Sequence, residues 1–254
     1  MKGLKALAVA LLLLAFWQAG AYSGLLDPMI FPSPSDVAES LAKDLAVGDL
    51  PVQIMFSMEL IGKGLLISGM LAIITGYACI KMDGFRKIVE TVVTLIHPLP
   101  GVALLPLVIL WVGTGKAAII IIIVHGAFWP LMQNVLSGIG SIPYIYFKVG
   151  DNYGLSTREQ IFHISIPASA PFIIAGFKIA WARAWRALIS AEMIFGAAGL
   201  AGGIGWAIYK SRVFMDIAGI VAGLLLIMLI GIIVEKFVFG FIEKRTVEKW
   251  GMTR

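Results

Sequence analysis

The chain has 254 residues, of which 59% are hydrophobic and 14% charged, with a formal net charge of +5 and a mean hydropathy of +0.94. Ordinary soluble domains carry roughly 25% charged residues, and a soluble fold of this size cannot bury so large an excess of apolar side chains, so the composition excludes a soluble globular protein and points to the bilayer. The positive charge does not indicate a nucleic-acid partner, because no basic cluster with interleaved aromatics occurs and most cations flank apolar runs, where they suit anionic membrane lipid.

Six apolar segments follow one another, at about 6–26, 54–80, 90–112, 117–137, 169–192 and 215–239. A helix needs about 20 residues to cross the hydrocarbon core, and in lipid each backbone polar group must be satisfied within its own segment. The expected fold is therefore an all-α membrane protein with six transmembrane helices in one domain, 1–254. The first segment also resembles a signal peptide, with Lys2 and Lys5 ahead of it and Ala19-Gly20-Ala21 near its end. Trp17 and Gln18 suit an interfacial anchor, so a retained helix is expected. In the following loop, Asp27–Pro51, Ser35 is expected to cap a short helix whose approach Pro32 and Pro34 stiffen.

The second segment holds Glu59 and Lys63 at i,i+4, a spacing that reads as a self-neutralising pair in preference to a gate. Gly62-Lys63-Gly64 lacks the preceding glycine spacing of a phosphate loop. Cys79 is the single cysteine and has no partner for a disulfide or a thiolate metal site. In the third segment His97 precedes Pro98, with Pro100 and Pro106 beyond. These prolines break intrahelical hydrogen bonds, either as packing kinks or to turn carbonyls toward a passage. His125 lies in the fourth segment near Trp129 and Pro130. Neither histidine has the ligand spacing of a zinc site, and each reads as a hydrogen-bonded core residue. No metal or other cofactor is expected on this chain, and no nucleophile–base constellation marks an enzyme.

Cation placement sets the orientation. With the N-terminus cytoplasmic, the inner side holds Lys2, Lys5, Lys81, Arg86, Lys87, Lys148, Arg158, Lys236, Lys244, Arg245, Lys249 and Arg254, against Lys43, Lys116, Lys210 and Arg212 outside. Both termini and the polar stretch 151–167, DNYGLSTREQIFHISIP, are then cytoplasmic. Ser156 and Glu159 have capping-box spacing, so a short helix is expected over about Thr157–Ser165, with Pro167 discouraging its continuation. A second small helix is expected over Pro143–Asp151, with Gly154 permitting a sharp reversal between them. One reading is a solvated loop. The other is an element that offers Tyr153, Ile161 and Phe162 to a soluble partner, since such side chains are costly in an idle loop.

The fifth segment carries Lys178, Arg183, Arg186 and Glu192. At about 100° per residue they cover too wide an arc to face one channel. A guanidinium near mid-bilayer costs about 3 kcal/mol on insertion scales, so Arg183 and Arg186 should face protein or water. Two readings stand: an anion-favouring pathway, or pairing with a neighbouring carboxylate or backbone carbonyls. Glu192 either gates or braces the outer side.

These residues bring the chain close to a known family. Gly154, nine residues, then Ile164, Ser165, Ile166 and Pro167 resemble the glycine-to-proline half of the cytoplasmic signature of binding-protein-dependent ABC importer permeases, although Lys148 and Gly150 stand where glutamate and alanine are usual. Phe31-Pro32-Ser33-Pro34 resembles the element after the family's first helix. Pro98-Leu99-Pro100 with Leu105–Trp111 and Gly113 resembles the third span of its nitrate, sulfonate and taurine branch, and Ala191-Glu192 before the glycine-rich Gly196–Gly205 resembles its fifth. The glycine-rich stretch is a few residues longer than usual.

The resemblance implies a type I permease fold with a cytoplasmic coupling helix between the fourth and fifth spans, in the prokaryotic inner membrane. Residues 148–167 would be the coupling region, with Gly154, Arg158, Glu159, Ile161, Phe162, Ile164 and Pro167 contacting the ATPase. Arg183, Arg186, Glu192, Pro98 and Pro100 would be pathway or gating residues. It further implies a homodimer of permease copies, two cytoplasmic ATP-binding subunits that hold the ATP and Mg, and an external solute-binding protein. The cargo would be a small anion such as nitrate, a sulfonate or taurine, or a heterocyclic vitamin precursor. An ion-gradient-driven secondary transporter and a non-transporting membrane scaffold are the alternatives.

Overall fold

The computed structural model describes residues 2–24, 27, 30–196 and 202–248, and no strand occurs among them. Leu25 and Leu26 of the first predicted span, residues 197–201 of the glycine-rich stretch, Lys249 and Arg254 lie outside the described residues, as do the side chains of Lys2 and Lys5. The helices are α1 (Lys2–Tyr22), α2 (Pro34–Ala46), α3 (Leu50–Lys81), α4 (Asp83–Ile96), α5 (Leu105–Val112), α6 (Lys116–Gly140), α7 (Tyr144–Asn152), α8 (Thr157–Gln160), α9 (Ile166–Phe195), α10 (Ile204–Val213), α11 (Ile217–Ile233) and α12 (Gly240–Glu243). A 3-10 turn covers Gly101–Leu104, and π turns cover Ile161–Ser165, Val234–Phe239 and Lys244–Glu248. The chain forms two compact units, 1–57 with 192–229, and 58–191 with 230–254.

Among the described residues, four helical paths are long and apolar enough to cross a bilayer: Leu50–Lys81, Lys116–Gly140, Thr157–Phe195 and Ile217–Thr246. A fifth candidate is not straight. α4 and Gly101–Val112 meet at a 90° bend, so the predicted third span, 90–112, is broken at His97–Pro100. Pro98 and Pro100 lack the N–H a continuing helix needs; His97 keeps helical angles (φ −52°, ψ −38°), and the backbone is extended at Pro100 (φ −66°, ψ 122°). The apolar part of α1, Leu11–Tyr22, is shorter than the other candidates.

In the unit built on 58–191, α6 is the central helix. Small residues let its neighbours approach closely. A Cβ at Gly64 of α3 would overlap Ile123 of α6, and one at Gly76 would lie 2.9 Å from Val135. On the α9 side, Gly138 sits against Ser169 and Phe172, and Gly176 against Asn134 and Leu131. Ile119, Ile122, Ile123, Leu131 and Met132 are buried as a result. α6 tolerates Pro130 inside it, and the Asn134 amide donates to the Pro130 carbonyl at 2.8 Å.

In the other unit, α1 and α2 are joined by polar bonds. Trp17 Nε1 donates to the Pro32 carbonyl at 3.1 Å, and Gln18 and the Ser35 backbone and hydroxyl bond each other at 3.2–3.3 Å. The cap of α2 is Ser33, not Ser35: Ser33 Oγ accepts from the Asp36 N–H at 3.2 Å, and the Asp36 carboxylate accepts from the Ser33 N–H at 3.0 Å. Pro34 explains the shift. With its fixed φ and missing N–H it fits the first helical position, which leaves Ser33 as the cap.

A second correction concerns Pro167. It does not end the helix: α8, the π turn Ile161–Ser165 and α9 run on without interruption. The Ile166 N–H reaches back five residues to the Ile161 carbonyl. Pro167 then falls in the first turn of the next α-helical stretch, where a missing N–H is tolerated.

Candidate functional site

The polar element between α6 and α9 is a helical hairpin. α7 ends at Asn152, and Gly154 takes φ +73°, a left-handed conformation that closes the turn without a Cβ penalty. The Gly154 N–H donates to the Asp151 carbonyl at 2.9 Å, and the Leu155 N–H to Gly150 at 3.0 Å. α8 starts with the predicted capping box. Glu159 Oε2 accepts from the Ser156 N–H at 2.7 Å and its hydroxyl at 2.6 Å, while Ser156 Oγ receives the Glu159 N–H at 3.4 Å. Gln160 Nε2 donates to Asp151 Oδ1 at 2.7 Å, tying the two arms together. The buried Gly150 allows this closure, since a Cβ there would lie 2.9 Å from Ile164 Cδ1.

The predicted surface residues separate here. Phe162 and Tyr153 are exposed, and the Arg158 guanidinium lies 5.9 Å from the Phe162 ring centre. Ile161 is only 3% exposed, so its side chain is spent within this chain. Sequence reasoning missed the outer face of α7, where Tyr144, Ile145, Tyr146 and Val149 are all exposed. The signal was present as an apolar cluster in a short helix flanked by Pro143 and Gly154.

The charges of α9 meet different partners. Lys178 lies 3.7 Å from Glu235 and 3.5 Å from Glu243; neither partner was foreseen. Arg183 Nη1 donates to the His97 carbonyl at 3.3 Å, at the break between α4 and the Gly101–Leu104 turn. Arg186 is exposed and donates from Nε to the Ala182 carbonyl of its own helix at 3.0 Å. Around the break, His97 Nδ1, both ring nitrogens of His125 and Trp129 Nε1 are buried without a hydrogen-bond partner among the described residues. The expectation of a hydrogen-bonded core histidine fails for His125, both of whose ring nitrogens lack a partner; for His97 it fails at Nδ1 alone. Such groups are rare in folded proteins, and here they cluster beside a guanidinium.

Lys63 pairs with Glu59 as expected, and Lys116 joins at 3.7 Å from the same carboxylate. Glu192 is fully buried. Its two oxygens accept from Ser57 Oγ at 2.8 and 3.0 Å, Oε2 also accepts the Gly205 N–H at 2.9 Å, and Ser57 Oγ in turn receives the Ile204 N–H at 3.0 Å. The carboxylate thus braces the start of α10 by hydrogen bonds.

Comparison with known proteins places this geometry in context. Residues 64–248 match the profile of the family described as binding-protein-dependent transport system inner membrane component. The chain is 26% identical over 251 residues to the putative aliphatic sulfonates transport permease protein SsuC of Bacillus subtilis, covering 97% of this chain and 87% of that one. It is 25% identical to the taurine transport system permease protein TauC of Escherichia coli, over 88% of this chain and 82% of that one. The nitrate import permease protein NrtB of a Synechocystis species is 26% identical, over 78% and 70%.

Proposed function

This chain belongs to the binding-protein-dependent transport system inner membrane components, the permeases of ABC importers, and from that premise we propose that it forms the translocation pathway for a small anion and takes its motion from a separate ATPase. As a permease it is a non-catalytic membrane subunit. It crosses the inner membrane six times, with α1 as the first span and both termini cytoplasmic. Two copies surround the pathway, two ATP-binding subunits carry the nucleotide and Mg, and an external solute-binding protein delivers the cargo. Nitrate or an alkanesulfonate, both anions, and taurine, a zwitterion with a sulfonate end, fit the relatives' names.

The observation that carries this reading is the continuity of the hairpin with α9. Force on the outer face of α7, Phe162 and Arg158 passes through the Ile161–Ser165 turn into the helix that holds Arg183 at the α4 break. Gly154, Glu159, Ile164 and Pro167 hold that hairpin in shape, and Ile161 anchors it from inside. Arg183 with Pro98 and Pro100 lines the pathway, Arg186 adds cationic potential, and Glu192 sets the geometry of the outer segment.

The test is reconstitution with the ATPase and the solute-binding protein in vesicles. Uptake of labelled nitrate, taurine or alkanesulfonate should require ATP hydrolysis and stop with a non-hydrolysable analogue. Uptake driven by an ion gradient alone would overturn the proposal.

A further inference from the structure

A cavity of about 500 Å³ lies among α3, α6 and the π turn with the first part of α9, lined by residues that include Ile73, Tyr77, Val135, Phe162, Ser165 and Phe177. Its size falls within the roughly 300–1,000 Å³ range of ligand sites. The wall is almost wholly apolar. The hydroxyls of Ser165 and Ser169, which also line it, have no hydrogen-bond partner among the described residues. A polar solute would find few partners inside. An alkyl chain needs none.

The charge at one end is different. Two lining rings each carry a cation: Lys81 Nζ lies 4.8 Å from the centre of the Tyr77 ring, and Arg158 Cζ 5.9 Å from that of Phe162. Lys81 closes α3 just beyond the lining residue Ile80, and Arg158 lies in α8 just before Ile161, so both cations sit past the same end of the cavity. On the hairpin, the Glu159 carboxylate is engaged by Ser156 and that of Asp151 by Gln160, while Asp83, two residues past Lys81, opens α4. An apolar slot with cations at a single end matches an amphiphile with a hydrocarbon tail and an anionic head.

We propose that this cavity holds one acyl chain of an anionic phospholipid, with the headgroup phosphate at Lys81. A second copy of the chain is a poorer occupant, because it would have to bring an acidic group to that end together with a tail-like apolar insertion. The inference depends on the membrane setting alone, and not on the cargo or on ATPase coupling.

Native mass spectrometry of the purified full chain, loaded with phosphatidylglycerol or phosphatidylcholine, tests it. Phosphatidylglycerol should be retained preferentially, by roughly fivefold for each cation near the surface. Lys81→Gln should reduce that preference by about this factor and leave phosphatidylcholine retention unchanged. Ser169→Leu, which fills the cavity, should lower retention of both lipids. Equal retention of phosphatidylglycerol by wild type and both variants would overturn the proposal. Should Ser169→Leu fail to yield monodisperse protein, Lys81→Gln decides by itself. A photo-reactive residue at Ile73 supplies the second readout: a lipid adduct supports the site, and an adduct joining two copies of the chain refutes it.

Discussion

Ser57 and Glu192, 135 residues apart in the chain, share a buried hydrogen-bond system in which one hydroxyl serves both carboxylate oxygens and also receives the Ile204 N–H. Removing that hydroxyl leaves a buried backbone donor unpaired and a carboxylate with less support. Such losses cost about 1–3 kcal/mol for each unsatisfied group. Ser57→Ala should therefore lower the thermal unfolding midpoint of the purified protein. Gly203→Ala should lower it further, because a Cβ there would overlap the Glu192 carboxyl group. An unchanged midpoint in both variants would show that this system does not brace α10.

The reversal at Gly154 rests on its left-handed backbone and on its N–H bond to Asp151. An L-residue in that conformation costs roughly 1–2 kcal/mol, and proline also forbids the angle and removes the donor. Gly154→Ala should reduce coupled transport partially. Gly154→Pro should leave membrane insertion intact while ATP hydrolysis continues without uptake. Normal coupling in the proline variant would remove the case for a docking hairpin at this point.

Arg183 is held at the α4 break by a bond to the His97 carbonyl, and Arg186 by its own helix. Arg183→Gln should raise the KM for anion uptake about tenfold, equivalent to about 1.4 kcal/mol of lost charge interaction. Arg183→Lys should recover part of that loss. Arg186→Gln should act more weakly. If Arg183→Gln shifts the unfolding midpoint but leaves KM untouched, the residue is structural.

The close approach of α3 and α6 depends on Gly64 facing Ile123. Gly64→Ala forces an overpacked contact and should destabilise by about 1–3 kcal/mol. The double variant Gly64→Ala with Ile123→Ala removes the overlap, so its midpoint should exceed the sum of the single effects. Additive losses would mean the helices shift apart instead.

The α2 cap predicts a response to acid. Hydrogen bonds from the Ser33 hydroxyl and backbone hold the Asp36 carboxyl below its ordinary range. A depressed carboxyl contributes stability that is present above the unfolded value of about 4 and lost as pH falls through the lower folded value. Amide exchange in α2 should therefore accelerate below about pH 4, and Ser33→Ala should flatten that dependence. An unaltered profile in Ser33→Ala would place the pH response elsewhere.

Much of the hairpin was legible because its signals are local. Ser156 with Glu159, and a glycine after a short apolar helix, are short-range chemistry, and each element formed where those residues stand. The apolar runs were equally plain. What the sequence hid were relationships at long range. Nothing near Lys178 announces Glu235 and Glu243, and nothing near Glu192 announces Ser57. The burial of Ile161 is hidden differently: in the sequence it stands with Tyr153 and Phe162 as an apolar residue of a polar stretch, and nothing local tells which of the three packs inward. The third span reads as a kinked helix in sequence; the structure turns through 90° between α4 and Gly101–Val112, where Pro98 and Pro100 leave two N–H groups out of the ladder.

The π turn at Ile161–Ser165 also changes how this chain absorbs a change in length. A π turn accommodates one surplus residue, so removing a residue inside 161–165 converts it to ordinary α-helix while the hairpin and α9 keep their mutual phase. The same deletion between Ala180 and Ala184 has no such slack. It would rotate everything beyond it by about 100° around the helix axis and turn Leu188 from the interior toward the outside.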